Sequence, residues 1–161
     1  MQAYDISQLR VLVLEKHLLI RRLLTEVFRE CGVPTVMSTA DPNQAFEMFS
    51  DSPVDIIFTD WCADLDGMAF LNRVRKDPAS SNCFIPVVVV TAFTELHNVC
   101  VARDNGMTEY LAKPISAKMI YSRLVKVIES NRPFIRTGDF FGPERRRREQ
   151  PAFANQNRRA A

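Results

Sequence analysis

The stretch P-V-D-I-I-F-T-D-W-C-A-D-L-D-G, residues 53–67, decides how the rest of the chain is read. Val54, Ile56, Ile57 and Phe58 form a β-branched and aromatic run, the signature of a short buried strand. The run stops on Asp60, and a loop with two more carboxylates, Asp64 and Asp66, follows. In a parallel α/β sheet, chemistry gathers at the carboxyl ends of the strands. An acid there is a candidate nucleophile or metal ligand. Taken alone, one aspartate at a strand end is more often a helix cap. The remaining strands decide between the two readings.

Working outward, the pattern repeats. Residues 11–14, V-L-V-L, make a first strand that ends on Glu15-Lys16. Leu19, Leu23 and Val27, with Ile20, Leu24 and Phe28, then have helical spacing up to Gly32. Residues 35–38 read as a second strand. Asp41-Pro42 follows as an N-cap with proline at the first helical position. After residues 53–67 comes a helix with Phe70, Leu71 and Val74. Residues 85–91, I-P-V-V-V-V-T, are then the most apolar run of the chain. A strand so uniformly β-branched is buried on both faces, as in a parallel sheet covered by helices. A weak helix over 95–105, a short strand over 109–112 ending at Lys113-Pro114, and an amphipathic helix over 116–130 complete five β-α units. Such alternation predicts a doubly wound α/β domain, a five-stranded parallel sheet with helices on both faces. Right-handed crossovers put all strand ends on one edge. No G-x-G-x-x-G or G-x-x-x-x-G-K-[ST] is present, so nucleotide binding has no support.

Composition sets outer limits. At 161 residues, with 47% hydrophobic and 25% charged residues, the chain can build one ordinary core. No apolar run approaches the ~20 residues of a membrane span, and no secretory leader is recognisable at the N-terminus. A cytoplasmic location without membrane association is the expectation. Cys31, Cys62, Cys83 and Cys100 form no C-x-x-C pair, which argues against zinc or a disulfide framework. Residues 1–129 carry 13 Lys/Arg against 16 Asp/Glu, whereas residues 130–161 carry 8 against 3. A mildly acidic body with a basic tail suggests two regions.

The predicted edge thus collects Glu15 and Lys16 from the first strand, Asp60 from the third, Thr91 from the fourth and Lys113 from the fifth. Each has a bland reading: Thr91 as a strand-end cap, Lys113 as a surface lysine, Glu15 as a partner of the first helix dipole. Their joint appearance at four strand ends is much harder to obtain by accident.

Over about residues 8–130 the sequence resembles the receiver domain of two-component response regulators, a flavodoxin-like fold shared with chemotaxis-type single-domain regulators. The resemblance rests on V-D-I-I-F-T-D, the D-G after the loop, V-V-V-V-T-A and G-M-T-E-Y-L-A-K-P-I. It implies that Asp60 accepts a phosphoryl group from a histidine kinase or histidine phosphotransfer protein. It implies that Thr91 hydrogen-bonds the phosphoryl oxygen and that Lys113 pairs with the phosphate. Tyr110 would be the aromatic switch that turns inward. The domain would be a phosphoacceptor signalling module rather than a conventional enzyme. Its output would be a downstream protein bound on the face of helix four, strand five and helix five, roughly residues 95–129. Two copies can pair through the same face in this family.

Two departures bear on the metal that the family uses. Mg²⁺ would fall to Glu15, Asp60 and the backbone carbonyl of Cys62. However, Lys16 stands where the second acid of the first strand belongs, and a charged lysine cannot ligate a cation. In addition, five residues, W-C-A-D-L, separate Asp60 from the D-G where the family commonly has six with a proline. Three readings stay open. Lys16 substitutes for the metal charge at Asp60; or it forms a standing ion pair, making the domain a phosphorylation-independent adaptor; or it turns to solvent and leaves a weak metal site.

Residues 131–161 lack periodic apolar spacing and are too few for a helix-turn-helix reader. This basic tail is expected to be disordered. Phe134, Ile135, Phe140 and Phe141 are exceptions, suited to packing back on the domain or docking on a partner. The run Arg145 to Arg148 suggests an acidic surface or nucleic acid. A solvated tail is the preferred reading, and nucleic-acid binding is not expected.

Overall fold

A computed structural model describes residues 4–130 and 132–145. Five strands, β1 (Arg10–Leu14), β2 (Thr35–Thr39), β3 (Ile56–Asp60), β4 (Val87–Thr91) and β5 (Glu109–Ala112), form one sheet in the order β2-β1-β3-β4-β5. All pairings in it are parallel. The helices are α1 (Leu18–Glu30), α2 (Pro42–Asp51), α3 (Gly67–Lys76), α4 (Leu96–Asp104) and α5 (Ala117–Glu129). The doubly wound α/β architecture is the one the sequence predicts.

Strand alternation builds two cores from one sheet. Val11, Val13, Ile56, Phe58, Val88 and Val90 point to one face, where they meet Leu24, Val27 and Phe28 of α1 and Ile120, Leu124 and Val127 of α5. Leu12, Leu14, Ile57, Val87 and Val89 point to the other, against α2, α3 and Ala102 of α4. Phe28 packs edge-on to Phe58 at 4.8 Å between ring centroids. Both cores are filled by side chains that are essentially inaccessible. Truncating a leucine, isoleucine or phenylalanine among them to alanine costs about 2–5 kcal/mol.

Caps fix where the helices begin. Asp41 accepts from the N–H groups of Asn43 and Gln44 ahead of α2, with Pro42 in the first turn. Asp66 caps α3 through the Ala69 N–H, and Ser116 caps α5 through the Met119 N–H. The fourth strand, expected from residue 85, begins at Val87, because Pro86 has no N–H to give the ladder. No helix among the described residues is long and apolar enough to cross a membrane.

The segment expected to be a disordered tail departs from that reading within residues 132–145. Strands β6 (Phe134–Thr137) and β7 (Phe140–Pro143) pair antiparallel around a two-residue turn, Gly138-Asp139. Gly138 has φ +57°, which suits a glycine at the first turn position. Of the two fates open to its aromatics, packing back on the domain is the one observed. Phe140 and Phe141 are buried, and Phe134 and Phe141 form a ring cluster with Phe84. The Arg146 to Arg148 part of the arginine run, with the rest of residues 146–161, lies outside the described residues.

Candidate functional site

The sheet order sets β1 and β3 side by side, with β4 and β5 beyond β3. Their carboxyl ends therefore bring Glu15, Asp60, Thr91 and Lys113 to one edge. Glu15 and Asp60 are each 1% exposed. The Lys113 ammonium reaches between them, with Nζ 2.9 Å from Asp60 Oδ1 and 3.0 Å from Glu15 Oε2. Each pair gains about 5 kcal/mol of gross Coulomb energy at an effective dielectric of ~20. Several kcal/mol per buried ion of lost hydration offset that gain. Desolvation pulls the Lys113 pKa down, but the hydrogen bonds and charges of Asp60 and Glu15 outweigh it and hold the pKa above the ordinary lysine value. Burial pushes Glu15 up, against the His17 N–H and Lys113, which stabilise its charged form.

One oxygen is left over. Glu15 Oε1 accepts from the His17 N–H at 2.9 Å, and Oε2 is taken by Lys113. Asp60 Oδ2 is buried and has no hydrogen-bond partner among the described residues. A buried carboxylate oxygen without a partner is costly in a stable core and is typical of a reactive one.

The loop after Asp60 closes tightly. Cys62 and Leu65 exchange backbone hydrogen bonds of 3.1 and 3.2 Å. Gly67 then passes so close to Asp60 that a Cβ there would lie 2.2 Å from the Asp60 carbonyl oxygen. The D-G pair thus has a steric reason: Asp66 caps α3 and Gly67 admits the strand end. Burial pushes the Cys62 thiol up, and the neighbouring Asp60 charge adds to the shift. Neither effect favours a reactive thiolate.

Thr91 and Tyr110 belong to a second layer. The Thr91 hydroxyl donates to the Trp61 carbonyl at 2.5 Å and accepts from the Phe93 N–H at 3.0 Å. The Tyr110 hydroxyl donates to the Phe93 carbonyl, and its ring packs against the core that holds α2 and α3. Burial pushes its phenol pKa up, while the Thr91 hydroxyl pulls the other way. Phe93 also meets the Trp61 ring edge-on at 5.2 Å. The loops after β3 and β4 are thereby tied together over the site, a connection through Trp61 and Phe93 that the sequence reading missed.

Lys16 is not where a metal substitute or an Asp60 partner would stand. It is exposed, and the ammonium that reaches Asp60 comes from Lys113. The physical reason is alternation at the end of β1: with Glu15 turned inward, the next side chain faces out, and lysine's hydrated stem favours water. The available donors do not suit Mg²⁺ either. That ion takes six oxygen ligands at about 2.0–2.1 Å, usually including one or two carboxylates. Here both Glu15 oxygens are engaged, and the Cys62 carbonyl accepts from Leu65. An ammonium stands between the acids, and of their oxygens only Asp60 Oδ2 has no partner among the described residues. Among the described residues no cluster of three or more His, Cys, Asp or Glu could hold a metal.

Comparison with known proteins agrees with this fold. Residues 11–125 match the response regulator receiver domain, and the chain belongs to that family. It is therefore a two-component signalling domain. It is similar to chemotaxis protein CheY of Pseudomonas aeruginosa, 25% identical over 122 residues covering 75% of this chain and 97% of that protein. Chemotaxis protein CheY-3 of Vibrio cholerae is 24% identical over 130 residues, covering 80% and 98%. Among solved structures, chemotaxis protein CheY4 of Vibrio cholerae superposes with a TM-score of 0.67 at 22% identity, covering 74% of this chain and 98% of that one. A CheY-like receiver from Methanospirillum hungatei gives 0.65 at 16% identity, covering 75% and 94%. The hairpin β6–β7 lies beyond the matched residues.

Proposed function

We propose that this protein is a response regulator that accepts a phosphoryl group on Asp60 from a histidine kinase or phosphotransfer protein and signals by protein–protein contact. The observation that carries the reading is the unpartnered, buried Asp60 Oδ2 beside a lysine that already neutralises Oδ1. In the step, Oδ2 attacks phosphorus while the P–N bond to the donor imidazole breaks. The electron pair of that bond stays on nitrogen, which takes a proton from water. Asp60 reacts as the carboxylate and gives up no proton. Lys113 supplies the fixed positive charge toward which the transferring group's negative charge moves. Thr91 reaches the phosphoryl oxygen by releasing the Trp61 carbonyl. This movement is transmitted through Phe93 to Tyr110.

The output face is α4, β5 and α5. A surface pocket of about 200 Å³, lined by Leu111, Lys118, Met119, Ser122 and Arg123, lies there. Its two cations suit an acidic segment of a downstream protein. A cytoplasmic setting follows from the kinase partner. Nothing in the relatives supports the adaptor that is never phosphorylated.

The test is intact-protein mass spectrometry after incubation with phosphoramidate, with and without Mg²⁺, on wild type and Asp60→Asn. A gain of one phosphoryl group that Asp60→Asn abolishes is expected. Absence of any gain, with this donor and with a phosphohistidine donor alike, would overturn the reading and favour the adaptor.

A further inference from the structure

The segment 132–145 grips the junction between α4 and β5 at three points. Arg145 Nη1 lies 2.9 Å from the carboxylate of Asp104, the last residue of α4. Gly142 sits directly on Gly106, so that a Cβ on Gly142 would be 2.6 Å from the Gly106 Cα. A Cβ on Gly106 would in turn lie 2.6 Å from the Phe141 carbonyl oxygen. The Arg132 guanidinium donates to the Thr108 carbonyl at the entrance to β5.

Beneath this contact lies Arg75, 2% exposed, at the end of α3. Its Nε donates to the Gly106 carbonyl at 3.0 Å, and Nη1 donates to the carbonyls of Ile85 and Cys83 at 2.7 and 2.9 Å. The Phe134 ring covers the guanidinium at 5.0 Å. So the turn that ends α4 is held from below by Arg75 and from above by the hairpin. Gly106 itself, at φ +95°, closes α4: its N–H returns to the Arg103 carbonyl and the Met107 N–H to Ala102.

Helix α4 has little else to hold it. Ala102 is its buried residue and Val101 packs partly buried beside it, whereas Leu96 is 78% exposed and Glu95 makes no side-chain cap. A nine-residue helix does not persist on backbone bonds alone, and an alanine with one half-buried valine contributes little apolar area. Its two ends are what fix it: the Tyr110–Phe93 bond just before it, and the hairpin after it. The outer strand β6 is unsuited to pairing with another chain, because Pro133 precedes it and Arg136 interrupts its apolar side chains. The hairpin is therefore built to face inward.

We infer that the hairpin β6–β7 is an intramolecular clamp on α4: by seating Gly142 on Gly106 and Arg145 on Asp104, it sets how freely the helix of the α4-β5-α5 face moves. This holds whether or not Asp60 is phosphorylated. Amide hydrogen exchange read by mass spectrometry on the full chain tests it, with wild type, Gly142→Val and Arg145→Glu. In Gly142→Val, exchange over residues 134–143 and 96–107 is expected to quicken together, at least tenfold, while residues 10–14 and 56–60 keep wild-type rates. In Arg145→Glu, the quickening is expected over the last turn of α4. Fast exchange in the hairpin with α4 unchanged would overturn the clamp. So would a hairpin that stays protected in Gly142→Val, since the glycine contact would then not seat it. Equal quickening throughout the sheet would make the hairpin a general part of the core and would overturn the clamp as well.

Discussion

Lys113 Nζ stands 2.9 Å from Asp60 Oδ1, although the two residues are 53 positions apart in the chain. The same ammonium holds Glu15, so one cation is shared by two buried carboxylates. Removing it should expose what it does. Lys113→Met leaves two like charges facing each other in a desolvated site. The variant is expected to lose about 3 kcal/mol of folding stability at neutral pH. Urea denaturation checks this, and a loss under about 1 kcal/mol would mean that water already screens the acids.

Glu15 gives the site a pH dependence with a definite sign. Its folded-state pKa is raised above the ordinary glutamate value of 4.5, first by burial. Above that value the unfolded chain has released a proton that the folded chain still holds. Glu15 thus adds stability below about pH 4.5, and this is lost as pH rises through its folded value. Glu15→Gln should remove that downward contribution as pH rises above about 4.5. Parallel denaturation curves for the two proteins at each pH provide the comparison, and identical slopes would contradict the raised carboxyl.

The mismatch with Mg²⁺ can be read without any phosphoryl transfer. Trp61, the single tryptophan, adjoins Asp60 in sequence. Its fluorescence is expected to stay flat as Mg²⁺ is raised to the millimolar range. Lys16→Asp is expected to stay flat as well, because its side chain would face out as Lys16 does and Lys113 would still stand between the acids. A saturating change in the wild type at sub-millimolar Mg²⁺ would show that Lys113 yields its place to the ion.

Gly67→Ala is expected to be severely destabilising, by about 2 kcal/mol or more, because its Cβ would fall 2.2 Å from the Asp60 carbonyl oxygen, a backbone atom. The loop would have to open, which should also lower the rate at which Asp60 is phosphorylated. Thermal unfolding tests the first part and the phosphoramidate reaction the second. A wild-type melting temperature would mean that the loop relaxes freely.

Much of this was legible in the chain because the signals are local. Apolar runs, the Asp41-Pro42 cap and the glycines after α1 and α4 mark the β-α units. Strand ends then place Asp60, Thr91 and Lys113 on one edge. Which ammonium reaches Asp60 was not legible. Lys16 adjoins Glu15 in sequence, whereas Lys113 is 98 residues from it, and alternation at the end of β1 turns Lys16 outward. The hairpin did leave a signal: Gly138-Asp139 separates F-I-R-T from F-F-G-P, the two-residue spacing of a tight turn. The net basic charge of residues 130–161 masks it. The role of Arg75 could not be read, because nothing local marks an arginine near the end of a helix as buried.

The hairpin moves the physical boundary of the domain. The residues matched to the family stop at 125, within α5, yet the rings that cover Arg75 come from Phe134 and its neighbours. A fragment trimmed to the matched region would open a buried guanidinium to water and free the end of α4. For this chain the packed structure extends to residue 145, well past the residues matched to the family.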